Sequence, residues 1–250
     1  MSPLSMDTSL SLDDYIGDVN GVDGEEIEST KPYIIGIAGG TGAGKTTFAR
    51  RIYDCIAATT NGDIAQISHD SYYKDLSHLS ILEERAKTNF DHPDSLDTEL
   101  LIHHLKELVN GRSVIIPNYD FKTHSRCEDE GEVVESKRVI LVEGILLFSI
   151  KELVQLMDLK IYVDAPCDVR LMRRIERDSV ERGRTLVDII AQYTTTVRPM
   201  HDEFVKPSKY NADLILYSYD EDEDVSMKRM ENAIKVVCNH LKMETGVTGT

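Results

Sequence analysis

The chain has few cysteines, no long apolar run and no excess of basic side chains. Its cysteines lie far apart, with no C-x-x-C pair, at Cys55, Cys127, Cys167 and Cys238. This spacing suits neither a zinc site nor a disulfide framework, and it favours a reducing compartment. No apolar run approaches the roughly 20 residues of a membrane span, and the basic start of a signal peptide is missing. We therefore expect a cytoplasmic protein with no membrane partner.

The net charge of −16 at pH 7 is concentrated in two segments. Residues 1–31 carry eight acidic side chains and one basic side chain, and residues 220–224 are all acidic. Because the remainder implies no net basic surface for phosphate backbones, the composition disfavours a nucleic-acid partner. The acidic, serine-rich stretch 1–31 predicts a disordered tail. Residues 243–250 predict a frayed C-terminus.

Between these ends, over residues 32–242, short apolar runs alternate with amphipathic segments. This pattern predicts βαβ units and a parallel sheet flanked by helices in one domain. The predicted strands are 33–38, 64–68, 139–142, 160–163 and 213–217, and the predicted helices include 45–58, 98–110, 168–181 and 186–196. Two further strand-like runs, 113–118 and 132–135, surround a polar loop and predict a β-hairpin inserted into the α/β body.

The most informative segment is a glycine-rich turn between an apolar strand and a helix-forming segment. It contains G-x-x-x-x-G-K-[ST] and consists of Gly39, Gly40, Thr41, Gly42, Ala43, Gly44, Lys45, Thr46 and Thr47. A phosphate chain needs inward-pointing backbone N–H groups, which such a turn supplies, and an ammonium group across its outer phosphates, here Lys45. The hydroxyl of Thr46 is placed to bind a magnesium ion. The segment predicts a P-loop that binds a nucleoside triphosphate.

Three carboxylates follow predicted strands, where ligands gather in an open parallel sheet. They are Asp70, Glu143 and Asp164. In a P-loop enzyme one strand-end carboxylate belongs to the magnesium shell, and another accepts a proton from the attacking hydroxyl. Asp70 and Glu143 are candidates for both roles. Asp164 is more typical of a helix cap.

Two further clusters could carry chemistry. The first is an arginine series that consists of Arg170, Arg173, Arg174, Arg177, Arg182 and Arg184. Arginines at helical spacing repel one another on a solvated face, but they suit a polyphosphate ligand. A surface helix neutralised by its acidic neighbours is the alternative. The second cluster, residues 117–126, sets aromatic rings and a histidine beside the predicted hairpin. It suits either a planar base or packing of the hairpin against the body.

Six motifs in a fixed order connect these clusters. They are residues 39–47, 68–73, 89–94, 119–121 with 124–126, 143–145, and 173–178 with 181–184. Together they closely resemble uridine-cytidine kinases over about residues 33–217, in the short, kinase-only form. The resemblance implies ATP-dependent phosphorylation of the 5′-hydroxyl of uridine or cytidine, with magnesium. It also implies pyrimidine salvage, a homotetramer and feedback inhibition by pyrimidine triphosphates.

The resemblance also implies residue roles. Asp70 resembles the base that takes the 5′-hydroxyl proton, Thr46 and Glu143 resemble magnesium-shell residues, and Asp91 is similar to the residue that holds the ribose hydroxyls. The base pocket that the resemblance implies consists of Tyr119, Phe121 and His124. Further implied nucleoside contacts are Arg174, Arg184 and Gln192. The implied lid residues, which reach the phosphates, are Arg177 and Arg182. Two features depart from the family. His69 stands beside Asp70 where glutamine is usual, and Asp222, in a longer acidic loop, aligns only loosely with the adenine side.

Two competing interpretations remain. A phosphoribulokinase-like enzyme has a similar loop, but it should show basic residues for the acceptor phosphate where this chain has Tyr119, Phe121 and His124. A non-catalytic regulatory module with a surviving P-loop would have no reason to keep Asp70 and Glu143 together with the arginine series. A GTP-binding switch would need an N-K-x-D motif, which does not occur after Gly44.

Overall fold

The computed structural model describes residues 31–245, so the predicted tail lies outside the described residues except for Lys31. Its centre is a parallel sheet in the order β2-β5-β1-β6-β7. These strands are β1 (Tyr33–Ala38), β2 (Ile64–Ser68), β5 (Val139–Gly144), β6 (Leu159–Asp164) and β7 (Leu214–Tyr217). All five predicted strands are confirmed, with bounds that differ by at most two residues.

The central strands β5, β1 and β6 are buried on both faces, which explains their continuous apolar runs, whereas the edge strand β7 is largely exposed. In β1, Ile34 packs into the hydrophobic cluster on one face, whereas Ile35 and Ile37 pack into the cluster on the other. All three side chains are fully buried. The parallel sheet with helices on both sides confirms the predicted fold class.

The helices α1 to α5 are Lys45–Thr60, Leu82–Ala86, Thr98–Val109, Lys151–Leu156 and Cys167–Val180. After a loop, α6 (Leu186–Gln192), α7 (Arg198–Met200) and α8 (Lys206–Ser208) are joined by the π-helical turns Tyr193–Val197 and His201–Val205. The final helix is α9 (Glu223–Thr245). No helix within residues 31–245 combines the length and apolarity needed to cross a bilayer.

The sequence analysis did not place α9. This helix packs on α1 and buries Val237, Cys238 and Leu241. The Nε2 atom of its His240 forms a hydrogen bond with the Tyr33 hydroxyl at 2.9 Å. Because α9 continues to Thr245, residues 243–245 are helical, and the fraying of this end stays a prediction. The remaining residues of the predicted frayed segment lie outside the described part of the chain.

The predicted hairpin is present as the antiparallel strands β3 (Val114–Asp120) and β4 (Ser125–Val134). It forms a separate two-stranded sheet. One face packs into the core through Val114, Ile116 and Tyr119. The loop at its tip contains His124, whose positive φ of 51° lies in the left-handed region. The hairpin therefore holds the aromatic cluster against the α/β body.

Candidate active site

The P-loop connects β1 to α1 and has three glycines at positive φ, namely Gly39 (147°), Gly42 (73°) and Gly44 (93°). A Cβ atom at Gly39 would lie 2.2 Å from the Val163 carbonyl oxygen. No side chain caps the N-terminus of α1, because Gly44 stands at the N-cap position. The backbone N–H groups of this first turn therefore offer a binding site for an anion.

Lys45 is the first residue of α1, and its side chain is buried. It lines a cleft, here called the cleft, together with Thr46, Asp70 and Glu143. Its ammonium group donates a hydrogen bond to the Gly40 carbonyl oxygen at 3.2 Å. Burial lowers the pKa of Lys45, while the nearby Glu143 and Asp70 carboxylates favour its charged form. The lysine is thus held within the curve of the loop, with carboxylates as its counter-charges.

Strand register brings Glu143 to the P-loop. It lies beside Ile37 in β1 and beside Ser68 in β2, at the carboxyl end of the sheet. Its Oε1 accepts hydrogen bonds from the hydroxyls of Thr46 and Ser68, each at 3.2 Å. Burial raises the pKa of Glu143, and Lys45 opposes this rise. The Thr46 hydroxyl and the Glu143 carboxylate are adjacent hard oxygen donors, the type that Mg²⁺ prefers.

Asp70 lies in the 3₁₀ turn His69–Tyr72 that directly follows β2. It lines the same cleft as Lys45 and Glu143. The neighbouring His69 points away into the core, where it packs against Gly144, and burial lowers its pKa to about 3. His69 is therefore neutral near pH 7 and adds no positive charge beside Asp70.

A ring-lined pocket forms the opposite end of the cleft. Phe90 and His124 stack with ring centroids 4.7 Å apart, and Tyr119 meets Phe121 edge-on at 5.3 Å. The Tyr119 hydroxyl is buried without a hydrogen-bond partner among residues 31–245. Burial lowers the pKa of His124, so its ring is neutral near pH 7. The pocket thus offers flat apolar walls, an unpaired hydroxyl and a neutral imidazole.

Asp91 lies between this pocket and the arginines. It is buried, and its Oδ2 accepts a hydrogen bond from the Thr196 hydroxyl at 3.4 Å. Burial raises the pKa of Asp91, whereas the Arg174 guanidinium acts in the opposite direction. A buried carboxylate with spare acceptor capacity suits a ligand that brings hydroxyl groups.

The arginine series divides into two groups. Four members line the cleft: Arg174, Arg177, Arg182 and Arg184. The Gln192 Oε1 accepts from both Arg174 and Arg184 at 2.8 Å, and Arg174 also donates to the Thr41 hydroxyl at 3.1 Å. The guanidinium of Arg182 lies 4.6 Å above the Phe121 ring. This network connects the P-loop to the ring-lined pocket.

The other two arginines support the P-loop from behind. Arg170 is buried, donates to the Ala165 carbonyl oxygen at 3.1 Å, and lies against the His201 ring nitrogen at 3.1 Å. Arg173 donates to the Gly42 carbonyl oxygen at 3.4 Å and to the Ser218 carbonyl oxygen at 3.1 Å. Only four of the six arginines therefore line the cleft.

Two acidic candidates lie elsewhere. Asp222 accepts from the backbone N–H groups of Asp224 and Val225, so it caps α9 and the structure does not bring it into the cleft. Asp164 accepts from the Lys209 ammonium at 3.2 Å. Its position is explained by this ion pair and not by capping, since Pro166 is the N-cap residue of α5.

The structure also adds residues to which the sequence analysis gave no role. Tyr73, Phe90 and Ile145 line the cleft, although all three lie within the quoted motifs. Asp178 is fully buried among the arginines, although the surface-helix alternative would place it among the acidic side chains of a solvated face. Its spacing of four residues from Arg174 was the available signal, but that spacing cannot distinguish a surface pair from a buried one.

Arg126, a motif residue without an assigned role, ties the hairpin to the turn that carries Asp70. Its guanidinium donates to the carbonyl oxygens of Tyr73 at 2.9 Å and Tyr72 at 3.2 Å, and to the Asp97 carboxylate at 3.2 Å. One planar side chain therefore fixes the ring-lined pocket relative to Asp70.

We expect Arg126→Lys to weaken both binding and turnover, because an ammonium group cannot reproduce the fork of a guanidinium. Leaving part-buried carbonyl groups unpaired should cost about 1–3 kcal/mol in the free energy of unfolding. Urea unfolding and steady-state kinetics measure the two effects. Arg112→Lys is the control, because its pair with Glu107 is on the surface. Wild-type kinetics and stability in Arg126→Lys would contradict this role.

The sequence matches the phosphoribulokinase/uridine kinase family over residues 34–226. It is 53% identical over 186 residues to a uridine kinase of Streptococcus uberis, an alignment that covers 74% of this chain and 86% of that relative. A uridine kinase of Clostridium tetani is 52% identical over 188 residues, which is 75% of this chain and 88% of the relative.

Solved structures share the fold at low sequence identity. Phosphoribulokinase from Rhodobacter spheroides has a TM-score of 0.59 at 16% identity, covering 77% of this chain and 73% of that chain. D-glycerate 3-kinase from Cryptococcus neoformans has a TM-score of 0.51 at 17% identity, covering 70% of this chain and 79% of the other. At these identities the likeness establishes a common architecture.

Proposed function

The chain belongs to the phosphoribulokinase/uridine kinase family, and we propose that it transfers the γ-phosphoryl group of ATP to the 5′-hydroxyl of uridine and cytidine. The products are ADP and the nucleoside monophosphate. One observation carries the choice of acceptor: the cleft has the P-loop at one end and a ring-lined pocket, with Tyr119, Phe121 and His124, at the other. A planar base fits between such rings, because stacking on them requires a flat aromatic ligand.

The reaction requires a proton acceptor near the phosphoryl group. Asp70 lies in the cleft beside Lys45, and it takes the proton of the 5′-hydroxyl as the oxygen attacks phosphorus. Negative charge on the transferring group is balanced by Lys45 and by the lid residues Arg177 and Arg182. The buried setting of Lys45 strengthens this interaction, since little water screens it.

The donor set also fits a magnesium ion. Thr46 and Glu143 would hold it, because Mg²⁺ sites of this kind use one or two protein oxygens together with water and phosphate. When bound, the ion neutralises charge on the phosphates. The hydrogen bond from Thr46 to Glu143 keeps the two oxygen donors together.

Recognition of the nucleoside is divided between its two halves. Asp91 accepts the ribose hydroxyls, with Arg174 beside it as counter-charge. The neutral His124 ring presents a donor or an acceptor according to its tautomer, and so it can meet O4 of uracil or the amino group of cytosine. Both pyrimidines are therefore substrates, and purines are too large for a pocket closed by Tyr119 and Phe121.

The test is kcat/KM for uridine, cytidine, 2′-deoxyuridine and adenosine in wild type and in Asp91→Ala. A substrate that lacks one ribose hydroxyl leaves the Asp91 carboxylate without a hydrogen-bond donor. A fully buried carboxylate rejects such a substrate by roughly 10⁴-fold, and by less where water enters. We expect wild type to prefer uridine and cytidine, and Asp91→Ala to lose the preference for ribose. If adenosine were the best substrate, or deoxyuridine equalled uridine in wild type, the pocket assignment would fail. Ribulose 5-phosphate as the preferred acceptor would favour the phosphoribulokinase alternative.

The proposal extends to a homotetramer in the cytoplasm that serves pyrimidine salvage, as the family resemblance implies. Light scattering of the purified protein tests the assembly. We expect four times the chain mass of 28.2 kDa. A single-chain mass across the working concentration range would contradict the tetramer but not the activity.

A further inference from the structure

Asp178 is the meeting point of the arginines that line the cleft. Its side chain, in α5, has no exposed surface. Its Oδ1 accepts from Arg177 Nε at 2.9 Å and Nη2 at 2.7 Å, and Arg182 Nη1 lies 3.6 Å away. Its Oδ2 lies 3.5 Å from Arg174 Nε and 3.6 Å from Arg184 Nη1. One carboxylate thus stands against four guanidinium groups.

The four guanidinium groups outnumber the carboxylates near them, because Asp178 is in contact with them while Asp91 and Asp70 act on them from farther away. Burial opposes ionisation of Asp178, but Arg177 and Arg174 together hold its pKa below the ordinary value, so it carries a full negative charge. Burial lowers the pKa of Arg174, Arg182 and Arg184, which expresses the cost of keeping cations out of water. Removing the carboxylate from such a buried cluster is strongly destabilising, because it leaves the cations uncompensated.

The contacts are also unequal. Arg177 makes two short hydrogen bonds to Asp178, whereas the other three arginines are 3.5–3.6 Å away. Arg174 Nε and Asp178 Oδ2 have no hydrogen-bond partner within residues 31–245. These longer pairs attract Asp178 by charge without fixed hydrogen bonds to it, while Gln192 orients Arg174 and Arg184, so the guanidinium groups are available to a stronger anion that enters the cleft.

We propose that Asp178 is a positioning residue: it is the resident counter-ion that holds the lid arginines in the cleft until a polyphosphate replaces it as their main partner. The inference rests on the proposed function, because it takes the triphosphate as the incoming anion. Asp178 touches the arginines and acts on the phosphates only through them.

A purely structural role would have a different consequence. If Asp178 only pinned α5 in place, its removal would lower stability by the same amount with and without ligand. If Asp178 is a counter-ion, Asp178→Asn leaves four guanidinium groups without the carboxylate they contact. An added polyphosphate then supplies the missing negative charge. Ligand binding stabilises a protein more when the affinity of the ligand for the folded state is higher, so the gain on adding the anion should be larger in the variant.

The experiment measures melting temperature with and without saturating ATP or inorganic tripolyphosphate, in wild type and in Asp178→Asn. We expect the free variant to melt lower, and both anions to raise its melting temperature more than that of wild type. We also expect kcat to fall on the order of 10²-fold, because the arginines lose their orientation. Glu176→Gln is the matched control, since it removes one exposed acid from the same helix. It should resemble wild type in both measurements.

A second variant keeps the inference testable if Asp178→Asn folds poorly. Asp178→Asn/Arg177→Gln removes the cation with the closest contacts to Asp178 and returns the cluster to its wild-type net charge. We expect the double variant to be more soluble and to melt higher than the single variant. A double variant no more stable than the single one, or an anion-induced shift in Asp178→Asn no larger than in wild type, would overturn the inference. Failure of the proposed function is distinct, because wild type itself would then neither phosphorylate uridine nor be stabilised by ATP.

Discussion

Asp70→Asn is expected to reduce kcat by on the order of 10²- to 10⁴-fold, with little change in nucleoside affinity. The substitution preserves the shape of the side chain and removes the proton acceptor. Asp70 lies in the cleft with Lys45 and Glu143, whereas its neighbour His69 is buried, neutral and turned into the core. His69 therefore cannot replace the carboxylate as the base.

Steady-state kinetics with uridine give kcat, and equilibrium titration gives the nucleoside affinity. Asp94→Asn is the control, because that carboxylate is 90% exposed in its side chain and lies outside the cleft. It should leave both quantities unchanged. An unaltered kcat in Asp70→Asn would move the base role to another residue, and Glu143 would be the next candidate.

Lys45→Ala is expected to abolish turnover almost completely. Phosphoryl transfer depends on positioning and on stabilising the charge of the transferring group, and Lys45 is the buried ammonium inside the P-loop. Its partners in the cleft, Glu143 and Asp70, are carboxylates, so its removal would also leave uncompensated negative charge where the phosphates bind.

Coupled measurement of ADP release detects the loss, and circular dichroism shows whether the variant is folded. Lys151→Ala is the matched control, because Lys151 is exposed at the first position of α4. A folded Lys45→Ala protein that retained wild-type kcat would disprove the P-loop interpretation.

The sheet and the P-loop could be predicted from the sequence because their signals are local. A strand buried on both faces appears as a continuous apolar run, as in Ile34, Ile35 and Ile37 of β1. The loop is recognisable because only glycine tolerates its backbone angles and the close approach to Val163. The sequence analysis did not place α9, in which Val237, Cys238 and Leu241 are buried, while Met230, Ala233 and Ile234 pack against the core in partly buried positions.

The sequence by itself determined which chemistry the chain can perform: a phosphate-binding loop, carboxylates at strand ends, an arginine series and a cluster of rings. Only the tertiary structure decided the direction of each side chain. It placed Arg174 and Arg177 in the cleft and Arg170 behind the loop, it turned His69 into the core, and it buried Asp178 among arginines. The physical reason is that helical spacing fixes which residues share a face. Which face meets the ligand depends on packing against elements far away in the chain.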